Sequence, residues 1–239
     1  MAGVLQGYDV AGTRLRIVDE PGSIAAGVVA TELAMDGYGL GRITFEPGDV
    51  VVDVGAHVGM VAIWLAVRNP RVTVIAIEPE PLNLAHLRTN VAAHGVDNVV
   101  VVPLALTRDR RTVRIARPPL NSGGAGCYHD RADGYPTTEV RSTTLDAIFD
   151  EYVPGRCRLL KVDCEGAEHE ILPASRALRR VDWFAGEFHV SSRLAAGGHS
   201  AEALTASVGQ FVDPDRMSVT TVDLDDMAAW ERRFAGAAG

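Results

Sequence analysis

The sequence predicts an α/β domain with a doubly wound, mostly parallel sheet and helices on both faces. Three observations lead there. Apolar, largely β-branched runs at 50–54, 71–77, 99–102 and 158–162 have the near-unbroken hydrophobicity of strands buried on both sides. Helix-compatible stretches separate the first three, giving strand–helix–strand–helix–strand at the spacing of a parallel sheet. The first run also breaks at glycines straight into a helix. Residues 50–59 read V-V-V-D-V-G-A-H-V-G, and an apolar run follows from Met60 to Val67. A strand that turns through glycine into a helix N-terminus presents bare backbone N–H groups to a carboxylate or phosphate.

At 239 residues and 47% hydrophobic, the chain can bury a full core. It reads as one domain over 48–234, with an N-terminal extension over 1–47 and a short disordered tail over 235–239. The net charge of −8 argues against nucleic acid or an anionic membrane surface as a partner. Cys127, Cys157 and Cys164 lack C-x-x-C spacing and read as reduced intracellular thiols. Residues 1–10 lack the basic and apolar regions of a secretory signal, and no apolar run reaches the ~18–20 residues of a membrane span. The expected location is cytoplasmic. Lys161 is the one lysine among 23 Lys and Arg residues, a ratio that a GC-rich genome explains.

In chain order, Leu15, Ile17 and Val18 suggest a short strand, and Ser23 caps a helix over 24–35. The cluster Asp36-Gly37-Tyr38-Gly39 stops it. In a one-domain enzyme such an extension often covers a ligand cleft. The strand over 71–77 ends at Glu78-Pro79. A helix over 82–94 then carries Leu84, Leu87 and Val91 on one face and closes at Gly95. Residues 98–106 contain the third strand, and 111–116 an added one. The stretch 118–126, P-P-L-N-S-G-G-A-G, reads as a flexible loop without regular structure. Thr143 or Thr144 caps a short helix. The strand over 158–162 leads into Asp163-Cys164-Glu165-Gly166, and a helix from 167 stops or kinks at Pro173. A fifth strand within 183–190 ends at Glu187-Phe188-His189. A helix within 200–211 and a strand over 217–222 complete the pattern, with no internal repeat.

The glycine loop narrows the choice of ligand. The dinucleotide fingerprint G-x-G-x-x-G is absent, since Ala56-His57 stands where its second glycine belongs, and no Gly-Lys-Ser/Thr follows for a P-loop. Asp53 would repel a phosphate and suits an ammonium or sulfonium. Glu78, at the end of the second strand, is placed to accept hydrogen bonds from ribose hydroxyls. A nucleoside with a cationic amino-acid arm satisfies both carboxylates, and that ligand is S-adenosylmethionine.

Several motifs together resemble the FkbM-type S-adenosylmethionine-dependent methyltransferases. They are Asp53-Val54-Gly55-Ala56-His57-Val58-Gly59, Glu78-Pro79, Asn121-Ser122-Gly123-Gly124 and Thr144-Leu145-Asp146. Lys161-Val162-Asp163-Cys164-Glu165-Gly166-Ala167-Glu168 and Glu187-Phe188-His189 follow, and are more specific than the glycine loop. The resemblance spans about 48 to 190. It implies a Rossmann-like class I methyltransferase fold with a seven-stranded sheet, and methyl transfer to a hydroxyl or carboxyl oxygen, often on secondary metabolites or sugars. The cofactor contacts it implies fall on Asp53, Gly55, Ala56, His57, Gly59, Met60, Glu78, Pro79, Ala105, Asn121, Ser122, Gly123 and Asp163. Two residues depart from the family pattern: His57 replaces an Asn, and Pro173 a common Gly. The terminal regions, which in such enzymes shape the acceptor pocket, lie outside the resemblance.

Methyl transfer needs alignment and, for a hydroxyl acceptor, a group that takes its proton. Lys161, Asp163 and Glu165 alternate, as do Glu187 and His189, so each set shares a strand face. These five are the candidates for the reaction centre. Lys161 is expected to form a buried ion pair with Asp163, Glu165 or Glu187. Asp163 can act as base or orient the acceptor, and His189 is the better base on unperturbed pKa grounds. Its structural alternative is a histidine packed at a strand end. Asp163, Glu165, Glu187 and His189 form an oxygen-rich set of the kind that holds Mg²⁺. Pairing with Lys161 competes for the same carboxylates, and no metal is expected. His86, His94, His129, His169 and His199 show no ligand spacing and read as surface residues. A small-molecule acceptor is the expected partner, with a nicotinamide-dependent oxidoreductase or a non-catalytic cofactor-binding protein as the other readings.

Overall fold

The computed structural model describes residues 3–118, 121–128 and 135–226; the tail expected at 235–239 lies outside them. The chain opens with an antiparallel hairpin, β1 (Val4–Val10) and β2 (Thr13–Asp19), and then α1 (Ala25–Ala34). β1 was not foreseen, because four of its first five residues are exposed and give no apolar run. The glycine-loop unit follows as β3 (Val50–Val54), α2 (Met60–Arg68), β4 (Thr73–Ile77), α3 (Pro81–His94) and β5 (Val99–Val102). Next come short strands β6 (Ala105–Leu106), β7 (Val113–Ala116), β8 (Thr137–Val140) and β9 (Ser142–Thr143), then α4 (Leu145–Tyr152). The remainder is β10 (Cys157–Val162), α5 (Glu168–Ala174), β11 (Val181–Val190), α6 (Ser192–Ala196), α7 (Ala201–Gly209) and β12 (Met217–Asp223).

The main sheet has the order β12-β11-β10-β3-β4-β5, and every neighbouring pair is parallel. The α/β doubly wound class is therefore correct, but the sheet has six strands among the described residues where seven were expected. The 111–116 segment does not join it: β7 pairs antiparallel with β8 as a separate ribbon. The chain order runs outward from β3 in both directions, so the topological switch point lies between β3 and β10, where such sheets bind ligands at the strands' carboxyl ends.

Local chemistry explains the helix boundaries. The Glu80 carboxylate accepts from the N–H groups of Leu82 and Asn83, Pro81 opens α3, and Gly95 ends it at φ 62°. Thr144 caps α4 through the Ala147 N–H. Helix α5 ends at Ala174, one residue past Pro173. The 118–126 stretch is also more ordered than its composition suggests. Asn121 caps a single 3-10 turn at Ser122–Gly124, and both Asn121 and Ser122 are buried.

Strand alternation divides the core into two layers. Val51 and Leu159 face α1, α2 and α3, while Val50, Val52, Val54 and Leu160 face α4, α5 and α7. The extension is not a separate body, because Val10, Leu15, Ile17, Ala26, Leu33 and Leu40 belong to the first layer. Asn90, fully buried on α3, stitches it down by bonding Val18 N–H, Val18 O and Val58 O. Trp64 donates to Val10 O at 3.1 Å. No helix among the described residues is long and apolar enough to cross a membrane.

Gly186 lies where β11 meets β10, and a Cβ there would stand 2.0 Å from Val162 O. Gly186→Ala should destabilise the fold by about 1–3 kcal/mol, read from urea unfolding. Gly7→Ala, with nothing within 4 Å of the new Cβ, should change it by less than about 0.5 kcal/mol.

Candidate active site

A cleft opens at the carboxyl ends of β3, β4, β10, β11 and β12, at the switch point. The space between its walls, open solvent at the mouth included, is about 1220 Å³. Its wall includes Gly55, Ala56, His57, Met60, Glu78, Pro79, Ala105, Asn121 and Gly123, together with Lys161, Asp163, Glu165, Glu187 and His189. Asp53, Gly59 and Ser122 stand behind that lining.

The glycine loop is shaped by close approach. Gly55 has φ 76°, and a Cβ on it would fall 1.8 Å from Asp163 O, so only glycine lets β3 and β10 meet there. The N–H groups of Gly55 and Ala56 are not bare as expected, since both donate to Ile77 O. The N-terminus of α2 does lack a side-chain cap, and its first residues Met60 and Val61 line the cleft. His57 sits at φ 51°, a conformation that Asn and His tolerate better than most residues.

Glu78 is 5% exposed, and each of its oxygens accepts one backbone N–H at 2.8 Å, Oε2 from His57 and Oε1 from Glu80. Burial outweighs those bonds and pushes its carboxyl up to about 8. The Asn83 side chain also bonds this carboxyl.

At the other end of the cleft, Lys161 Nζ lies 3.3 Å from Asp53 Oδ1, 3.2 Å from Asp163 Oδ2 and 3.3 Å from Gly55 O. Burial disfavours its charge, but Asp163 and Asp53 prevail and raise the lysine. The expected ion pair with Asp163 is present, and Asp53 is its second arm. Asp53 is fully buried and in register with Lys161 across β3 and β10, so its nearest charge in the protein is the lysine. Burial alone would raise Asp163, but Lys161 and then His189 hold it below the ordinary carboxylate range.

His189 is 2% exposed and ringed by carboxylates: Glu168 at 3.1 Å, Glu165 and Glu187 at 3.8 Å, Asp163 at 4.0 Å. Burial opposes its charge, yet Glu165 and Glu168 lift it well above the usual histidine value. These carboxylates favour the charged form of the ring, and an imidazolium cannot accept a proton. Asp163, Glu187 and His189 can bring one ligand atom each within 4.8 Å of the others. A protonated ring and a carboxylate already held by Lys161 suit a cation poorly.

Sequence reasoning missed Glu32, Tyr38, Asn83 and Asp19. Glu32 reaches the cleft from α1 beside Ala25, Val28 and Val29. It accepts from Tyr38 Oη at 3.0 Å, and Glu187 lies close enough to interact with it electrostatically. Burial and then Asp163 push it up to about 7, and burial does the same for Glu165 against His189. Tyr38 Oη also reaches Asp163 Oδ2 at 3.4 Å. Isolated polar residues on an extension carry no motif, and only the fold brings them in. His169, read as a surface residue, is buried with Nε2 2.7 Å from His189 O. His129 lies outside the described residues.

Fold and site together define an α/β ligand-binding protein with its chemistry at the switch point of a parallel sheet. Residues 53–193, more than half the chain, match the Methyltransferase FkbM domain, and the protein belongs to that family. Methyltransferase 1 of Beauveria bassiana (strain ARSEF 2860) is 26% identical over 146 residues, 54% of this chain and 59% of that protein. The 31-O-demethyl-FK506 methyltransferase FkbM of Streptomyces tacrolimicus is 46% identical over 54 residues, 23% of this chain and 21% of that one. The chain thus spans less than two thirds of either relative. Among solved structures, Trm5b from Pyrococcus abyssi aligns at 17% identity and a TM-score of 0.40, over 87% of this chain and 47% of its own. The precorrin-6y C5,15-methyltransferase of Geobacter metallireducens GS-15 aligns at 17% and 0.37, over 60% and 53%. At these scores the structural likeness carries no argument.

Two outcomes follow from the electrostatics. Lys161→Met strips the counter-charge from Asp53 and Asp163 and should cost about 3–5 kcal/mol in urea unfolding, part of it regained on adding Asp53→Asn. The second concerns pH. Glu32, Glu78 and Glu165 bind protons more tightly folded than unfolded, so their contribution is full below the ordinary carboxylate value and is lost as pH rises through about 7 to 8. His189, also raised, contributes fully below its ordinary value and loses that as pH rises through its folded one. All four act in the same direction, so Tm should fall between pH 6 and pH 8.5; a rise would contradict these environments.

Proposed function

We propose that the protein transfers a methyl group from S-adenosylmethionine to a hydroxyl oxygen of a small molecule, a secondary metabolite or a sugar moiety. The observation that carries this reading is the pairing in one cleft of Glu78, at the end of β4 beside the glycine loop, with an acidic far end around Asp163. The donor set fits the cofactor. Glu78 suits ribose hydroxyls, the Asn121–Gly123 turn lies against the same region, and Glu165 and Glu187 add acidic groups for the cationic arm. The name of the Streptomyces relative, which specifies a 31-O-demethyl substrate, supports oxygen as the acceptor atom. The net charge of −8 gives no electrostatic reason to prefer nucleic acid.

When bound, the cofactor supplies the activated methyl. The chain's own residues do the rest. Lys161 keeps Asp163 ionised and fixed, so that its carboxylate orients the acceptor. Glu32, which titrates near neutrality, takes the acceptor's proton at its carboxylate. His189 holds Glu165 and Glu168 in place as a buried cation and moves no proton. Helix α1 covers the cleft and keeps water from it.

Calorimetric titration with S-adenosylhomocysteine, with NAD as control, tests the cofactor. Micromolar binding of the first alone is expected, and the reverse would favour the oxidoreductase reading. Glu78→Gln should weaken S-adenosylhomocysteine about 10–100-fold and lower Tm, because its amide nitrogen cannot accept one of the two backbone N–H groups; unchanged affinity in the folded variant would remove the ribose assignment. Glu32→Gln should leave that affinity within about threefold while lowering methyl transfer about 100-fold or more, followed with labelled cofactor on a hydroxyl acceptor found by screening. Near wild-type turnover would exclude Glu32 as proton acceptor.

A further inference from the structure

Three segments far apart in the sequence meet in one buried hydrogen-bond knot beside the cleft. Ser122 Oγ donates to Asp19 Oδ1 at 2.8 Å and lies 2.6 Å from His57 Nε2 and 2.8 Å from Ser23 Oγ. Ser23 Oγ accepts in turn from the Ser122 N–H at 3.3 Å, and Asn83 Nδ2 donates to Ser122 O at 2.8 Å. Asp19, His57, Asn83 and Ser122 are each more than nine-tenths buried. The hairpin end, the glycine loop and the 121–124 turn are thereby locked together.

The hydrogens in this knot can be counted. A carboxylate only accepts, and a serine hydroxyl has one hydrogen. The contact with Asp19 uses it, so Ser122 Oγ meets both His57 and Ser23 as an acceptor. His57 Nε2 must then carry the ring hydrogen. Burial, against the pull of Asp19, lowers the ring's affinity for a second proton. The neutral Nε2–H tautomer leaves Nδ1 as a lone pair, and Nδ1 is buried with no partner in the protein. Asn83 Oδ1 is likewise unpartnered, because the amide is committed through its Nδ2. Both residues line the cleft next to Glu78. Buried acceptors without partners are costly, and two of them on one cleft wall fit a ligand rich in hydrogen-bond donors.

We infer that Asp19 acts through Ser122 to fix His57 in the Nε2–H tautomer, so that Nδ1 accepts a hydrogen bond from a hydroxyl or amino donor of the nucleoside held at Glu78. This rests on the nucleoside-cofactor reading of the cleft. Asp19 does not line the cleft and is a positioning residue; His57 and Asn83 are the contacts. The relay also gives a physical use to a histidine where the family has asparagine: a ring nitrogen whose hydrogen-bonding sense is set from outside the site.

The test uses the full chain labelled with ¹⁵N-histidine, long-range ¹H–¹⁵N NMR to read each ring's tautomer, and S-adenosylhomocysteine as the probe. The His57 signals are identified by their loss in His57→Gln. The wild-type ring should be protonated at Nε2, and the probe should shift Nδ1 in the sense of an accepted hydrogen bond while leaving the proton in place. Asp19→Ala frees the Ser122 hydrogen to point at Nε2. The ring should then switch to Nδ1–H, and affinity by calorimetry should fall about tenfold. Ser122→Ala removes the acceptor of Nε2 and should weaken binding similarly, with the double variant no weaker than the worse single one. Should Asp19→Ala fail to fold, the wild-type spectrum and Ser122→Ala decide alone. An Nδ1–H ring in the wild type, or unchanged affinity in a folded Asp19→Ala or Ser122→Ala, overturns the relay. A wild type that binds no S-adenosylhomocysteine overturns the cofactor reading and the Nδ1 contact, while the spectrum still judges the tautomer.

Discussion

One buried ammonium joins the two strands between which the cleft opens. Lys161 on β10 and Asp53 on β3 are register partners across the switch point, and Asp163, two residues on, is the second carboxylate on the same nitrogen. Parallel sheets part here because the connections diverge to opposite faces. An ion pair spanning the parting ties β3 to β10 just below the ligand site. It also sets charge above it. Lys161 holds Asp163 below the ordinary carboxylate range, while burial pushes Glu32, Glu165 and Glu187 up. Such a pair adds little net stability over an apolar core, but removing one partner leaves a buried charge exposed to its full cost.

The second constraint is that the cleft is built from two parts of the chain. The sheet supplies Glu78, Asp163, Glu165, Glu187 and His189, and the extension supplies Glu32 and Tyr38 directly. Asp19 and Ser23 act through Ser122. The extension's hydrophobic residues share the first core layer, so its polar residues are held as firmly as those of the sheet. The wall of the cleft therefore depends on a region that the family motifs do not reach.

How much was legible in the sequence follows from how local each signal is. The β3 turn, the end of β4 at Glu78, the Gly95 cap and the Lys161 to Glu168 segment are short-range patterns, and they fall where the residues placed them. The partner of Lys161 was only half legible. Asp163 follows from alternation along one strand, but Asp53 needs the register between two strands, which spacing does not encode. The surroundings of His189 were illegible for a related reason: Glu165 and Glu168 lie on the turn and helix after β10, and their convergence on the ring is a tertiary fact. The six-strand count and the ordered turn at Ser122–Gly124 likewise depend on pairing and burial that composition leaves open.

The most direct measurement is a crystal structure of the complex with S-adenosylhomocysteine. The account predicts the ribose hydroxyls on Glu78, the adenosine against the Asn121–Gly123 turn, and the sulfur directed toward Asp163 and Glu187. A nucleoside bound elsewhere, or reversed so that its amino-acid arm lies on Glu78, would contradict it.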